Sequence, residues 1–450
     1  MNGRSFTASL PMDAPFLSGD LVLVTTDDGQ QVCGQIHGKS AEGAGQASAS
    51  GAVLGALVDG RLQLGPVSPF SAAVLGPAPA DLWAQVLETG GSTMRVGSAR
   101  GGPAQLRPKG FSRHTFMCGQ SGSGKSYSLG VLLEQVILDT ELPMVILDPN
   151  ADFVRLSEPH DGSDTTSTDR LSTTDIDVLR PSHEPGAPNR LCVLFGELTL
   201  RAKAAALHLD PLLDREEYDA LLDAAEELRT RRGEDVIQDL LASEAPADIL
   251  LAQRMKNLGV LEWDVWARDD RAVTEHLTDG SRVTVLDLSG FELPGERLVV
   301  ALDVLDHLWT RRKERKPMLL VIDEAHNVCS ADPATALERA TTERLVQIAN
   351  EGRKYGLWLL LCTQRPSRIN PAVLSQCDNL VLMRMNSRGD LARLEEIFGF
   401  APPEMLATAP FFSQGECLVA GGLSAIPTFV RMRERRTAEG GSDVPVPLPG

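Results

Sequence analysis

The stretch Gly119-Gln-Ser-Gly-Ser-Gly-Lys-Ser126 decides the fold of this chain, because it fits the pattern G-x-x-x-x-G-K-[ST] at every fixed position. Glycines at this spacing let the backbone turn tightly, so that its N–H groups point inward at a phosphate. In such a loop the lysine reaches the β- and γ-phosphates of a nucleotide, and the final hydroxyl ligates Mg²⁺. The predicted nucleotide contacts are Gly119, Gln120, Ser121, Gly122, Ser123, Gly124, Lys125, Ser126 and Tyr127.

The residues on both sides of the loop are of the kind that a phosphate loop requires. His114–Cys118 is a short apolar run typical of a strand, and Tyr127–Ile137 has apolar residues at helical spacing. A helix that begins near Lys125 adds its positive N-terminal end to the phosphate site. The order of strand, glycine loop and helix disfavours a chance glycine-rich turn and predicts an α/β fold.

The composition limits the classes of function. The chain has 450 residues and a net charge of −18, so any contact with DNA must come from a local basic lining. Its seven cysteines include no C-x-x-C pair, which indicates reduced thiols rather than disulfides or a zinc site. The sequence contains neither a signal-peptide pattern nor an apolar run of about 18 residues. We therefore expect a soluble protein of the cytoplasm.

The N-terminal part predicts a small β-barrel, because short strand patterns with Asp-Gly turns follow one another between residues 19 and 75. Residues 1–17 are expected to be loosely ordered, and the Gly/Ala/Ser-rich stretch 39–51 is expected to be a flexible loop. The predicted organisation is a barrel with its linker at 1–95, a core at 96–433 with a helical insertion at about 200–277, and a disordered tail at 434–450.

A second motif follows the apolar strand pattern Pro317–Ile322. The pair Asp323-Glu324 at the end of such a strand is a Walker B arrangement, in which the aspartate lies beside Mg²⁺ and the glutamate polarises the attacking water as general base. Gln364 ends the next buried strand pattern, Leu357–Gln364. Its amide either has a role at the nucleotide, where it senses the γ-phosphate or orients water, or it only forms hydrogen bonds with the loop that follows the strand.

Four further features allow two interpretations each. Asp148 at a strand end either holds Mg²⁺ or caps the next turn, and His326 is assigned to packing or to support of the site, without a catalytic role. The densest basic runs are Arg311–Lys316 and Arg431–Arg436. A basic run is either a solvated surface or a contact for DNA or a partner.

At these residues the chain resembles the HerA branch of the HerA/FtsK ATPases. The resemblance is based on the phosphate loop with Arg113-His114 before it, on Val321-Ile-Asp-Glu-Ala-His-Asn327, and on Glu351-Gly-Arg-Lys-Tyr-Gly-Leu-Trp-Leu-Leu-Leu-Cys-Thr-Gln-Arg-Pro-Ser367 with Ile369-Asn-Pro-Ala-Val-Leu-Ser-Gln-Cys377. It covers about residues 18–433, and the N-terminal strands resemble the small barrel of that family.

The resemblance implies a RecA-like core that hydrolyses ATP with Mg²⁺. It further implies a homo-hexameric ring that acts as a DNA translocase or helicase on double-stranded DNA. Such a ring works with a nuclease or other effector in DNA end processing or antiviral defence. Carried onto this sequence, it assigns phosphate and Mg²⁺ binding to Lys125 and Ser126, Walker B to Asp323 and Glu324, the sensor to Gln364, a finger reaching the neighbouring subunit to Arg353, and a nucleotide contact to Arg113.

The chain departs from this family at two places. Gln120-Ser121 stands where many relatives have a threonine before the second glycine, and Asn150-Ala-Asp152 replaces His-Gly-Glu or Lys-Gly-Asp. Two other functions stay open. One is a ring-shaped assembly platform for a defence effector, with translocation secondary. The other is a conjugation- or secretion-type ATPase, which shares the core, although the sequence contains no membrane segment.

Overall fold

A computed structural model of the chain describes residues 3–43, 45–70, 72–160, 165–182, 187, 189–225, 227–230, 233–267 and 270–441. The chain divides into two compact units. The first unit comprises Met1–Thr140 and Cys377–Arg436, and the second comprises Glu141–Gln376 and Thr437–Gly450. Each unit has its own part of the predicted motifs.

Strands and helices follow one another along the chain as an α/β protein requires, which confirms the predicted fold class. The strands are β1 Ser5–Pro11, β2 Leu21–Thr26, β3 Gln31–Gly43, β4 Gln46–Val58, β5 Arg61–Leu64, β6 Ala73–Pro77, β7 Met94–Ala99, β8 Gly102–Leu106, β9 His114–Cys118, β10 Met144–Asp148, β11 Ile176–Leu179, β12 Val283–Asp287, β13 Met318–Ile322, β14 Leu357–Thr363, β15 Cys377–Met383, β16 Glu416–Gly421 and β17 Thr428–Met432. The helices are α1 Leu82–Gly90, α2 Lys125–Asp139, α3 Thr165–Thr173, α4 Leu200–Ala206, α5 Arg215–Ala224, α6 Glu227–Thr230, α7 Gly233–Ala242, α8 Pro246–Leu258, α9 Val273–Asp279, α10 Pro294–Thr310, α11 Ala336–Glu351, α12 Pro371–Leu374, α13 Arg388–Ile397 and α14 Pro403–Leu406.

The first unit begins with a barrel-like antiparallel sheet, in the order β1-β4-β3-β2-β6 with β5 on β4. Burial alternates along β2, which is the period of a sheet with one covered face. Val22 and Val24 of this strand pack in a core with Phe6 and Ile36. The N-terminal sheet therefore fits the small barrel that the sequence predicts.

Two expectations for this barrel-like sheet were wrong. β1 lies in the stretch expected to be loosely ordered, yet it pairs with β4 from Ser5↔Ala52 to Pro11↔Gln46. The stretch 39–51 is largely paired strand rather than a flexible loop, with Lys39 opposite Ala49. Small side chains allow this close packing, since a Cβ at Gly51 would lie 2.5 Å from the ring of Phe6. Residue 44 lies outside the described part of the chain.

The strands β9, β15, β16, β17, β7 and β8 of the first unit follow one another in that order across a second sheet. β9 and β15 are parallel, and β16 and β17 form an antiparallel hairpin near the C-terminal end. The linker that was expected before residue 96 is wrong, because α1 and the β7–β8 hairpin occupy residues 82–106. Trp83 of α1 packs in a buried cluster with Leu62 and Ile426, so this stretch belongs to the core of the unit.

The second unit contains a parallel sheet in the order β11-β12-β10-β13-β14. The residues of β10 and β12 are buried throughout, as expected for strands covered on both faces. The stretch 200–277 consists mainly of the helices α4 to α9. The ends of β10, β13 and β14 bring Asp148, Glu324 and Gln364 to the carboxyl edge of this sheet, where α/β proteins bind ligands.

The segment after β17 is packed where a disordered tail was predicted. Arg435 and Thr437 are buried, and the Ala438 N–H donates a hydrogen bond to the Glu158 carbonyl at 2.8 Å. The prediction of a tail is therefore wrong for residues 434–441, and residues 442–450 lie outside the described part. Within the described ranges, no helix has the length and apolarity needed to span a bilayer.

Candidate functional site

The predicted phosphate loop joins β9 to α2 in the first unit. Gly122 and Gly124 have φ values of 73° and 86°, in the left-handed region that glycine adopts without steric cost. The Ser123 N–H donates to the Gln120 carbonyl at 3.2 Å, which closes a β-turn with Gly122 at its third position. Lys125 is 5% exposed and begins α2, a helix of 15 residues. The loop thus has the sharp turn and the helix start that phosphate binding requires.

Residues after β15 contact the outer side of the phosphate loop. The Gln120 N–H donates to the Arg384 carbonyl at 2.9 Å, and the Asn386 N–H donates to Gln120 Oε1 at 3.0 Å. The Arg384 side chain returns to the loop, where Nη2 donates to the Gly122 carbonyl at 2.9 Å. Sequence reasoning missed Arg384 and Asn386. The only signal was the pair Gln120-Ser121, which stands where many members of the resembling family have a threonine before the second glycine.

The helix α2 is bound to the segment Arg433–Arg436 through a buried carboxylate. Glu134 is 0% exposed, and its Oε2 accepts from Arg433 Nη1 at 2.8 Å while its Oε1 accepts from the Arg436 N–H at 2.8 Å. The Arg435 N–H donates to the Tyr127 hydroxyl at 2.7 Å. Tyr127 directly follows Ser126, so this segment fixes the first turn of the helix that ends the phosphate loop.

The Walker B residues follow β13 in the second unit. Asp323 and Glu324 are 1% and 7% exposed. Glu324 has φ 43° and ψ 48°, a left-handed conformation that is strained for a residue other than glycine. Its Oε1 accepts from Gln364 Nε2 at 2.7 Å, and its Oε2 lies 3.2 Å from His326 Nδ1. The structure therefore brings the predicted base and the predicted sensor into direct contact.

The predicted Mg²⁺ ligands have the chemistry that this ion prefers. Ser126 offers a hydroxyl oxygen in the first turn of α2, and Asp323 offers a carboxylate at the end of β13. Oxygen donors in this small number, completed by phosphate oxygens and water, are the usual protein contribution to a magnesium–nucleotide site. Each of the two side chains thus offers an oxygen donor of the kind that Mg²⁺ prefers.

Asp148 caps a turn. Its Oδ1 accepts from the N–H groups of Asn150 at 3.3 Å and Asp152 at 3.0 Å, and its Oδ2 accepts from the Phe153 N–H at 2.8 Å. Burial raises the pKa of this carboxyl to about 7, against the lowering effect of the hydrogen bonds from Phe153 and Asp152. Of the two interpretations that the sequence left open, the structure supports the cap.

The two arginines assigned by resemblance lie in different units. Arg353 is half-buried in a single 3₁₀ turn, Gly352–Tyr355, that directly follows α11. Arg113 precedes β9 and lies 3.6 Å from Asp378 in an ion pair in which both side chains are about half exposed. Neither position tests the role that the resemblance gives to it.

Both dense basic runs make contacts within the chain. Arg311 and Lys316 form ion pairs with Glu314 at 2.7 and 3.2 Å, and Arg312 stacks 4.2 Å above the ring of Trp309. The second run, Arg431–Arg436, holds α2 as described above. These contacts favour a structural role for much of each run.

The chain matches two family models. The model described as "Helicase HerA, central domain" covers residues 94–308, and the model described as "ATPase family associated with various cellular activities (AAA)" covers residues 271–385. Together the matches extend from β7 to just beyond β15 and include the phosphate loop, the Walker B pair and Gln364.

Among curated relatives, the chain is 23% identical to "Probable helicase MJECL08" of Methanocaldococcus jannaschii over 74% of this chain and 68% of that protein. It is 29% identical to "DNA double-strand break repair helicase HerA" of Sulfurisphaera tokodaii, over 36% of this chain and 34% of that protein. With the protein of the same name from Pyrococcus furiosus the identity is 22%, over 71% of this chain and 65% of the relative. The chain thus spans less than two thirds of the last two relatives.

Two kinds of solved structure have a similar fold. VirB4 of Thermoanaerobacter pseudethanolicus superposes with a TM-score of 0.52 and 16% identity, over 76% of this chain and 96% of that one. The plasmid coupling protein TrwB in complex with ADP and Mg²⁺ gives a TM-score of 0.51 and 16% identity, over 79% and 92% of the two chains. At these identities the likeness shows the fold alone.

Proposed function

We propose that this chain is a P-loop ATPase of the HerA type that uses ATP hydrolysis to translocate double-stranded DNA. The observation that carries the proposal is the contact between Glu324 and Gln364, at 2.7 Å. A carboxylate held by an amide at the carboxyl edge of a parallel sheet is suited to orient water for attack on a phosphate. The similarity to proteins named as DNA helicases supports DNA as the substrate.

The phosphate loop, the Walker B pair and Gln364 each have a role in this proposal. The N–H groups of the phosphate loop and Lys125 bind the β- and γ-phosphates, and Ser126 and Asp323 hold Mg²⁺. Glu324 polarises the attacking water, and Gln364 positions it near the γ-phosphate. Mg²⁺, when bound, neutralises charge on the phosphate oxygens.

We further propose a homo-hexameric ring that acts with a nuclease or another effector protein, in DNA end processing or antiviral defence. A cation supplied by the neighbouring subunit at every site implies a repeated head-to-tail interface, which forms a ring where the rotation closes. The net charge of −18 and the internal contacts of the two basic runs favour a small number of DNA contacts inside such a ring. Binding should then weaken with salt with a modest slope.

The test is phosphate release with and without linear duplex DNA across a salt series. We expect duplex DNA to raise the rate of the wild-type protein at low salt. Lys125→Ala should lose ATP binding, because the cation at the phosphates is removed. Glu324→Gln should bind ATP without cleaving it, because the side chain keeps its shape and loses its basicity. Both variants therefore serve as controls for the ATPase itself.

Two outcomes would contradict this assignment. Wild-type turnover in Glu324→Gln would remove Glu324 from the role of base. ATPase activity that is indifferent to duplex DNA, together with stable co-assembly with an effector, would favour the assembly platform over the translocase.

A further inference from the structure

We infer that Gln120 and Arg384 are positioning residues that set the shape of the phosphate loop for ATP. This inference rests on the proposed ATP binding and adds two side-chain roles to it. Arg384 lies outside every motif that the sequence analysis used, and Gln120 occupies a variable position of the loop pattern. Both residues and all their contacts described below lie within the first unit.

The backbone at the start of the phosphate loop is hydrogen-bonded to the chain that follows β15. β9 and β15 pair in parallel up to Cys118 and Leu382. The hydrogen bond from the Gln120 N–H to the Arg384 carbonyl, at 2.9 Å, continues this pairing beyond the end of β9. One step further, the Gln120 side chain supplies the acceptor for the Asn386 N–H at 3.0 Å. The start of the loop is thereby bound to the chain that follows β15.

The peptide group between Gly122 and Ser123 is held on both of its polar sides. The Gly122 carbonyl and the Ser123 N–H belong to one planar peptide group and point in opposite directions. Arg384 Nη2 donates to this carbonyl at 2.9 Å, and the amide on the opposite side of the same peptide donates to the Gln120 carbonyl at 3.2 Å. A hydrogen bond from a charged donor is stronger than a neutral one. Arg384 therefore fixes the orientation of this peptide.

The orientation of Arg384 also has a cost. Its Nε is buried and has no hydrogen-bond partner among the described residues. A buried donor without a partner is unfavourable, so the guanidinium is oriented by the contact with Gly122 rather than by full satisfaction of its own donors. Such a cost is expected where a side chain supports a binding loop.

These contacts act on the conformation of the loop before ATP enters. A correctly shaped loop binds the phosphates in the ground state and in the transition state alike, so it contributes uniform binding. Loss of the contacts should therefore raise KM for ATP and leave kcat nearly unchanged. A residue that takes part in the chemical step would lower kcat instead.

The experiment compares steady-state ATP hydrolysis and the binding of a fluorescent ATP analogue among variants. Arg384→Ala and Gln120→Met each remove one hydrogen bond, and each should raise KM and the dissociation constant about tenfold. Arg384→Lys keeps a cationic donor and should recover much of the affinity. Arg388→Ala is the matched control, because this exposed arginine lies in the first turn of α13, outside the contacts described.

Thermal melting distinguishes a local change in the phosphate loop from destabilisation of the whole protein. Unchanged KM and dissociation constants in both Arg384→Ala and Gln120→Met, with normal ATP binding by the wild type, would overturn the inference and leave the proposed function standing. A fall in kcat at unchanged KM would overturn it as well. If Arg384→Ala melts early, Arg384→Lys decides, since a stable lysine variant with the affinity of the alanine variant excludes the donor role. Failure of the wild type to bind ATP would instead contradict the proposed function.

Discussion

The direction of the Glu324 carboxylate is set by its own backbone conformation and by contacts with two neighbouring side chains, Gln364 and His326. Its left-handed φ of 43° costs about 1–3 kcal/mol for a residue other than glycine. Gln364 donates to one carboxylate oxygen at 2.7 Å, and His326 lies 3.2 Å from the other. The strained backbone and both contacts restrict the direction of the carboxylate, as a general base requires.

We predict that His326 acts through Glu324 rather than on the nucleotide. Nδ1 of His326 also lies 3.1 Å from Thr363 Oγ1, at the end of β14 and directly before Gln364. His326→Ala should lower kcat about three- to tenfold and leave KM for ATP unchanged, because a hydrogen bond that orients the base is lost while phosphate binding remains. The measurement is steady-state ATP hydrolysis.

His326→Asn is the matched variant, because its amide can donate from nearly the same position as Nδ1. It should recover most of the rate. A variant His326→Ala with wild-type kcat, or with a raised KM, would show that the contact with Glu324 has no role in turnover.

At the scale of elements, the segment Arg433–Arg436 holds the helix α2. The buried carboxylate of Glu134 accepts from Arg433 and from the backbone of Arg436. Gly130 provides the space, since a Cβ at this position would lie 2.7 Å from Arg435 Nε. The helix that begins at the phosphate loop is therefore fixed by residues about 300 positions later in the chain.

We predict that Glu134→Ala destabilises the protein strongly. Removing one partner of a buried ion pair leaves an uncompensated buried charge and costs about 3–5 kcal/mol. The melting temperature should fall by several degrees, and KM for ATP should rise because Tyr127 loses its fixed partner. Thermal melting with a parallel ATPase assay gives both values.

The control is Glu141→Ala, which removes an exposed carboxylate that lies 3.2 Å from Arg170 and 3.0 Å from Arg282. Exposed ion pairs contribute about 0–1 kcal/mol, so this variant should melt close to the wild type. Equal shifts in the two variants would refute the importance of the Glu134 contact.

The elements that the sequence predicts best are those with an apolar pattern. β10, β13 and β14 lie within the predicted strands, because a buried parallel strand is a continuous apolar run. The ends of β3 and β4 escaped prediction, since glycine, alanine and serine resemble a flexible linker when their backbone pairing is unknown. The sequence motifs identified the chemical groups of the site, whereas contacts such as Arg384 to Gly122 depend on distant residues that only the fold brings together.

At the scale of the whole molecule, the proposed site needs a further cation. Charge that builds on the γ-phosphate during transfer is usually neutralised by an arginine, which in ring ATPases comes from the next subunit. Arg353 is our candidate by resemblance, and it lies in the 3₁₀ turn after α11. The alternative is that a cation at a helix C-terminus is favourable without any catalytic role.

We predict that Arg353→Ala binds ATP and forms rings but loses most of its turnover, because such fingers contribute about 10³–10⁵ in rate. Lys354→Ala is the matched control, since it removes the exposed cation next to Arg353 in the same turn. A nucleotide-binding assay measures ATP affinity, light scattering measures ring formation, and phosphate release measures turnover. A loss of rings in Arg353→Ala would assign the residue to assembly instead.

Mixed rings test whether Arg353 acts across a subunit interface. Arg353→Ala and Glu324→Gln should each be inactive alone. In a mixture, some interfaces pair an intact Glu324 with an intact Arg353 of the neighbour, and these should restore part of the activity. Light scattering must show hexamers, and the dependence of the rate on the mixing ratio shows whether the subunits mix. A strictly monomeric wild-type protein with full ATPase activity would rule out a finger supplied by another subunit, because every group needed for turnover would then lie in one chain.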